Sequence, residues 1–153
     1  MGTRSRIGVM HGDKVKSIYC HWDGYLEGVG ATLLKHYDSA KANHLVALGD
    51  MSSLQADIGE KHAFSKFEFD IEHRVHNEDW CTFYGRDRGE KGVEFKVAQT
   101  FDEFLEQCDN CGAEYYYIMR DGTWYCGDTY ESTPLSKKLT ALADALQAQT
   151  VDQ

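Results

Sequence analysis

The amino-acid sequence predicts an α+β domain, with a mainly antiparallel sheet built from hairpins and about four helices. Two short turns, His11-Gly12-Asp13 and Arg120-Asp121-Gly122, each lie between apolar strand-like segments, and an Asp-Gly step is a strong hairpin signal. Stretches with apolar residues at helical spacing separate the hairpins, in the order β-β-α-α-β-β-α-β-β-α. Because hairpins predominate over strand-helix-strand units, we expect mainly antiparallel pairing.

Length and composition favour one domain. The chain has 153 residues, of which 42% are hydrophobic, enough for one sizeable core and too few for two. We expect a single domain over residues 1–153, with an ordered core at about residues 6–148 and a loop-rich stretch at residues 55–78. No apolar run approaches the roughly 20 residues of a membrane-spanning helix, which predicts no membrane partner.

Charge and cysteine content restrict the cellular context. The formal net charge is −9, which opposes specific binding of DNA or RNA and favours a basic protein partner. The N-terminus is basic but leads into a strand-like segment instead of an apolar signal core. Five cysteines without such a signal are expected to be reduced thiols in a cytoplasm.

Residues 17–25 carry the densest chemistry of the chain, with a thiol, an imidazole, a carboxylate and several aromatic rings. A strand alternates sides, so Cys20 and Trp22 are expected to point toward the core while His21 and Asp23 point outward. Cys20 and His21 therefore diverge, whereas a nucleophile and its base must converge. We expect His21 and Asp23 to form a polar pair at the strand end.

Helical spacing runs from Leu26 to Tyr37, although Gly28 and Gly30 each lower the helix propensity by about 1 kcal/mol. One explanation is that the glycines allow close packing of the helix on the sheet. The other is that the helix N-terminus presents free N–H groups to an anion. The chain has no glycine-rich phosphate motif with a following Lys-Ser or Lys-Thr, and both explanations stay open.

Further elements are expected on both sides of the loop-rich stretch. A helix capped by Asp38 or Ser39 is expected to end at Gly49. Strands are expected at residues 80–84 and 93–98, separated by a charged loop with three glycines.

Helix signals are strongest in the C-terminal half. Thr100 and Glu103 form a capping box that opens a helix, and Gly112 is placed to end it. Thr133 before Pro134 predicts a last helix that starts at the proline.

No cofactor or metal site is expected. Cys108 and Cys111 have the spacing of a zinc knuckle, but the sequence has no second Cys-x-x-Cys pair, so two buried small residues explain them better. His73 and His76 lie in a polar stretch without the glutamate of a His-Glu-x-x-His motif.

Two groups of residues are candidates for binding. Arg86 and Arg88 either contact carboxylate or phosphate groups of a ligand or partner, or close their loop by pairing with Asp87. Tyr116 and Trp124, in the second hairpin, are expected to contribute exposed aromatic surface unless a helix covers that face. The candidate ligand- or partner-binding residues are His21, Asp23, Tyr25, Arg86, Arg88, Tyr116 and Trp124.

The chain resembles a family of small proteins from tailed phages and prophages. The resemblance covers residues 6 to 148 approximately. It is carried by residues 18–25 (IYCHWDGY), 48–50 (LGD), 52–54 (SSL), 81–90 (CTFYGRDRGE), 111–119 (CGAEYYYIM) and 124–127 (WYCG). The resemblance implies synthesis in the cytoplasm of an infected bacterium, where small acidic accessory proteins bind and block host enzymes or defence complexes.

These observations predict a phage accessory protein that acts by binding a host protein or complex. An inhibitor of a host defence system, of the anti-CRISPR type, would compete with nucleic acid through its acidic surface. The alternative is a small nucleotide- or anion-binding protein or enzyme that uses His21 and Asp23 with Arg86 and Arg88. Carboxylates clustered on one convex face would favour the first hypothesis, and a pocket joining those four residues would favour the second.

Overall fold

Eight strands form one mixed sheet in the computed structural model, which describes residues 2–66 and 75–151. The strands are β1 (Ser5–His11), β2 (Lys14–Cys20), β3 (Met51–Ser53), β4 (Thr82–Phe83), β5 (Lys96–Ala98), β6 (Tyr115–Arg120), β7 (Thr123–Asp128) and β8 (Thr140–Ala141). Their order is β4-β3-β2-β1-β6-β7-β8. The strand β5 lies off this order and pairs with residues 15–17 of β2, whereas β3 pairs with β2 at Cys20. The pairs β1–β6 and β2–β3 are parallel and the other pairs are antiparallel, which confirms the predicted fold class.

Both predicted hairpins are present. β1 and β2 pair along their whole length around Gly12, and β6 and β7 pair around Asp121 and Gly122. The φ angles of Asp121 and Gly122 are 51° and 81°, and positive values at both central residues match the twist of the flanking strands.

The helices lie in two layers, one on each face of the sheet. A short π-helix (Leu26–Gly30) leads into α1 (Ala31–His36), followed by α2 (Ser39–Ala47), α3 (Tyr84–Arg88), α4 (Phe101–Cys111) and α5 (Leu142–Val151). The π-helix, α1, α2 and α5 pack with the face that carries Ile7, Ile18 and Tyr117. α4 packs with the opposite face through Phe104 and Cys108. Each helix in the described part is too short or too polar to traverse a lipid bilayer.

Local capping signals predict helix ends well. The Asp38 side chain accepts a hydrogen bond from the Lys41 N–H at 2.8 Å at the start of α2. The Thr100 hydroxyl accepts from the Glu103 N–H at 3.1 Å, and α4 ends at Gly112 with φ 72°. Both helices therefore begin where the sequence predicts, since their caps depend only on neighbouring residues.

The last helix begins later than predicted, at Leu142 instead of Pro134. Backbone groups of the intervening segment are used in tertiary contacts: the Leu135 carbonyl accepts from the Asp128 N–H at 3.1 Å, and the Lys138 carbonyl accepts from the Tyr116 hydroxyl. A helix through this segment would withdraw those carbonyls into its own hydrogen bonds.

Two further predictions fail around residues 80–92. The strand there is limited to β4, and the expected charged loop contains α3. The Asp87 carboxylate accepts the Phe83 N–H at 2.7 Å and so satisfies a donor at the start of α3, an arrangement that stabilises a short helix.

Arg6 is a cation that the fold buries almost completely, with 1% of its surface exposed. Its Nε donates to the Ser17 hydroxyl at 2.9 Å, its Nη2 donates to the Ser17 carbonyl at 3.0 Å, and its Nη1 contacts the Cys111 sulfur at 3.7 Å. A buried guanidinium must keep its donors satisfied. The contacts that do so here link β1 to β2 and to the end of α4.

We expect Trp124→Ala to lower the free energy of unfolding by about 3–5 kcal/mol. The Trp124 ring is 4% exposed and its Nε1 donates to the Tyr37 carbonyl at 2.9 Å, so the substitution leaves a cavity and an unpaired acceptor. Trp22→Ala is the matched control. Its ring is 44% exposed, and it should cost less than about 1 kcal/mol in urea denaturation. Equal losses for the two variants would contradict the placement of these rings.

Candidate functional site

The chain turns away from the sheet directly after β2. The Trp22 N–H still donates to the Ser52 carbonyl of β3 at 3.0 Å, two residues beyond the end of β2 at Cys20. Asp23 then adopts φ 59°, a left-handed conformation that is uncommon outside glycine. The turn ends the strand alternation and leaves the Trp22 ring 44% exposed, so the prediction of a core tryptophan at this position is wrong.

Trp22 borders an open cleft of about 350 Å³, which we call the Trp22 cleft. Its lining includes Trp22, Ser52, Phe64, Lys66, His76 and Glu78. Lys66 Nζ lies 3.8 Å from Glu78 Oε1, and both side chains are largely exposed. The cleft therefore offers aromatic surface, a hydroxyl and charges of both signs to a binding partner.

His21 lies beside the Trp22 ring, with the two rings edge to face and their centres 4.6 Å apart. Desolvation, and after it the charge of Arg4, lowers the pKa of His21 below 6.5. Burial raises the pKa of Tyr19 to about 12, so its hydroxyl keeps its proton, and it shares a hydrogen bond with His21 Nδ1 at 2.6 Å. The lowered pKa favours a neutral His21 imidazole at pH 7.

Arg88 lies next to the cleft and stays accessible, with 42% of its side chain exposed. Its guanidinium lies 4.1 Å from the centre of the Phe64 ring and 5.3 Å from that of Tyr84, within the range of cation–π attraction. Its Nε donates to Glu90 at 2.8 Å. Of the two predicted arginines, Arg88 is the one that can contact a partner from the edge of the Trp22 cleft.

Arg86 has a structural role in place of the predicted ligand-binding role. Its Nε donates to Asp87 at 3.0 Å, its Nη1 donates to the carbonyls of Ile58 and Gly59, and its Nη2 donates to the Cys81 carbonyl at 2.8 Å. All three guanidinium nitrogens are therefore engaged, and the local Arg-Asp pairing considered as the alternative is what the structure shows. Arg86 is not among the described residues that line the Trp22 cleft.

The Asp87 carboxylate is the centre of this buried network, with 3% of the residue exposed. Besides Arg86, it accepts the backbone N–H groups of Phe83 at 2.7 Å and His62 at 3.1 Å. The His62 imidazole accepts the Asn77 N–H on Nδ1 at 3.0 Å and donates from Nε2 to the Cys81 carbonyl at 2.9 Å. The network holds residues 58–62 against α3 and so places the neighbouring Phe64 at the cleft.

Asp23 and Tyr25 are exposed, as expected for site residues. Two amides of the following π-helix are occupied, because the Val29 N–H donates to the Asp23 carbonyl at 2.8 Å and the Gly28 N–H donates to the Tyr25 carbonyl at 3.0 Å. A Cβ at Gly28 would lie 2.3 Å from the Asp23 carbonyl oxygen. The structure therefore supports the close-packing explanation for Gly28.

Tyr116 and Trp124 are both buried, which contradicts their predicted exposure. Tyr116 contacts the rings of Phe101 and Phe104 from α4, and Trp124 belongs to the core on the opposite face. Helices cover both faces of the hairpin, which is the alternative that the strand pattern left open.

The thiols show no sign of a nucleophile. All five cysteines are free in the structure. Cys81 Sγ contacts the Tyr37 hydroxyl at 3.2 Å, and burial raises the pKa of this thiol. Within residues 2–66 and 75–151, no three His, Cys, Asp or Glu side chains are grouped to hold a metal ion. His73 lies outside the described residues.

Sequence reasoning missed Trp22, Phe64 and His76 as lining residues. Trp22 was assigned to the core by strand alternation, and the other two lie in a stretch without periodicity. The Asp23-Gly24 step, at which Asp23 adopts a left-handed conformation, is the sequence signal that could have predicted an earlier end of the strand.

Comparisons with protein-family models, with curated proteins and with solved structures find no match for this chain.

We expect Arg86→Ala to lower the free energy of unfolding by about 3–5 kcal/mol, because it leaves a buried carboxylate without its cation. Arg88→Ala, which breaks an exposed pair with Glu90, should cost less than about 1 kcal/mol. Urea denaturation of both variants makes the comparison. A small and equal loss in the two would show that Arg86 does not hold the loop.

We expect Arg4→Gln to raise the pKa of His21, because a neighbouring cation disfavours the imidazolium form. The pKa should stay below 6.5, since desolvation is the larger cause and remains. An NMR titration of the His21 Cε1 proton measures it, and Arg120→Gln, which removes a cation stacked on Tyr125, is the control. A wild-type His21 that titrates at or above pH 6.5 would contradict this account.

Proposed function

We propose that this protein acts by binding a host protein in a phage-infected bacterium, as an inhibitor of a defence complex or of a host enzyme. The phage context rests on the resemblance of residues 18–25, 81–90 and 111–127 to small phage proteins. The binding role rests on the surface around Trp22.

The single observation that carries the proposal is the exposure of Trp22 beside a cleft. Tryptophan and arginine are the residues that most often dominate binding energy at protein interfaces, where they fill or line pockets. Trp22 lines the Trp22 cleft, Arg88 stacks on the Phe64 ring of the cleft lining, and Tyr25 is exposed three residues beyond Trp22. The backbone of Trp22 is held by the β3 hydrogen bond, so little ordering is needed on binding.

The charge distribution supports competition with nucleic acid. α4 has no lysine or arginine, and its exposed side carries Asp102, Glu106 and Asp109 at successive turns. Three carboxylates in a row resemble a run of phosphates in sign and regularity, and a basic nucleic-acid-binding surface is complementary to both. The net charge of −9 acts in the same direction.

A second candidate function is binding of a small nucleotide or anion in the same cleft. Its volume of about 350 Å³ lies in the range of ligand pockets, and Lys66, Ser52 and two aromatic rings line it. The engagement of Arg86 by Asp87 removes one of the cations on which this alternative depends.

Affinity capture from infected host lysate, followed by mass spectrometry, tests the proposal. We expect Trp22→Ala to reduce the captured partner at least about tenfold, since a hot-spot residue contributes about 2 kcal/mol or more. Tyr130→Ala is the matched control, because Tyr130 is 42% exposed and lies elsewhere in the chain. Melting curves of both variants confirm that they are folded.

Two outcomes would contradict the proposal. Equal capture by wild type and Trp22→Ala would exclude the Trp22 surface. Shifts of the Trp22 indole N–H resonance on titration with AMP or GMP, without a captured partner, would favour the nucleotide-binding alternative. For the mimic hypothesis, added DNA should release a captured nucleic-acid-binding partner.

A further inference from the structure

A second cavity, of about 230 Å³, lies between the π-helix, the segment before β8 and α5. It shares no lining residue with the Trp22 cleft. Leu26, Leu135 and Ala145 give it apolar walls. An apolar cavity of roughly 150 Å³ holds a benzene molecule, so this cavity has room for a short alkyl chain.

Asp128, the last residue of β7, places a buried carboxylate in the wall of this cavity, with 4% of the residue exposed. Among the described residues, its carboxylate oxygens have one hydrogen-bond partner, the Thr133 hydroxyl, at 2.8 and 2.9 Å. One hydroxyl has one hydrogen to donate, and no lysine, arginine or histidine of the described chain forms an ion pair with Asp128. A buried carboxylate is normally matched by a cation or several donors.

Gln149, from α5, supplies an independent sign of a missing donor. Its Oε1 atom is buried and has no hydrogen-bond partner, although the great majority of buried polar atoms have one. Gln149 lines the same cavity as Asp128. Among the residues that line this cavity, one acceptor is underused and one has no partner, which points to a ligand that donates hydrogen bonds.

The local charge of the protein indicates the sign of the charge on that ligand. Tyr115 also lines the cavity, and its pKa is raised first by burial and then by the carboxylates of Asp128, Glu27 and Glu114. Three carboxylates around one tyrosine make the potential negative, and the aromatic ring offers its face to a cation.

We propose that this cavity, the Asp128 cavity, binds an alkylammonium group, either the end of a lysine side chain of a partner protein or a free aliphatic amine. The three divergent N–H donors of an ammonium group suit acceptors on two separate side chains, whereas the planar fork of a guanidinium is best matched by both oxygens of one carboxylate. The alkyl chain packs on Leu26, Leu135 and Ala145. This inference does not depend on the Trp22 cleft or on a host partner.

Titration of the whole protein with n-butylamine at pH 7, followed by amide NMR shifts and calorimetry, tests it. We expect shifts confined to residues of the Asp128 cavity. Asp128→Asn should weaken binding at least about tenfold, because it removes the charge of the acceptor. Gln149→Leu should weaken it about two- to tenfold and keeps the test valid if Asp128→Asn does not fold.

Asp144→Asn is the matched control, since it removes an exposed carboxylate of α5 that does not line the cavity. The proposal is overturned if 1-butanol binds as tightly as n-butylamine, if Asp144→Asn weakens binding as much as Asp128→Asn, or if no cavity residue shifts. Nα-acetyl-lysine methylamide separates the two sources. If Nα-acetyl-lysine methylamide binds at least as tightly as n-butylamine, the alkylammonium group comes from a lysine side chain. If it binds more weakly, the ligand is a free amine.

Discussion

The Trp22 cleft depends on one buried carboxylate, that of Asp87. Residues 54–66, which precede Asp87 in the sequence, have little regular backbone pairing beyond a single bridge between Asp57 and Trp80. The Asp87 oxygens accept hydrogen bonds from Arg86 and from the His62 N–H, and Arg86 also donates to the Ile58 carbonyl of the same segment. A buried ion pair is stable only when its donors and acceptors are nearly all matched. The loop that carries Phe64 therefore keeps its position only while this whole network of hydrogen bonds is intact.

Features that depend on neighbouring residues could be predicted from the sequence. The caps at Asp38 and Thr100, the end of α4 at Gly112 and the Asp121-Gly122 turn all follow from side chains within four positions. The fold class follows because two hairpins define most of the sheet. The start of α5 could not be predicted, because the carbonyls after Pro134 are drawn into contacts with distant strands.

The candidate site was harder to predict because its residues act through the tertiary structure. Strand alternation indicates which side chains share a face, but it does not show whether a helix covers that face, which is why Tyr116 was expected outside. Trp22 was expected inside because the alternation was extended up to the turn at Asp23. The residue type of Arg86 fits a ligand carboxylate and a neighbouring aspartate equally well. The position of the Ile58 and Gly59 carbonyls, which accept from Arg86, decides between the two roles. His21, Asp23 and Arg88 remain at the surface, where their residue types suggested a site.

The coverage of the sheet explains where chemistry is accessible. Helices pack on both faces of the central strands, so Arg6, Tyr116 and Tyr117 are inaccessible, and burial raises the pKa values of Cys20 and Cys126 to about 12. Thiols with such values are protonated at neutral pH and are poor nucleophiles. The two candidate sites lie where the sheet ends: the Trp22 cleft lies beside β3 and β4, and the Asp128 cavity lies at the end of β7. The two proposed binding sites share no lining residue, so each can be tested without altering the other.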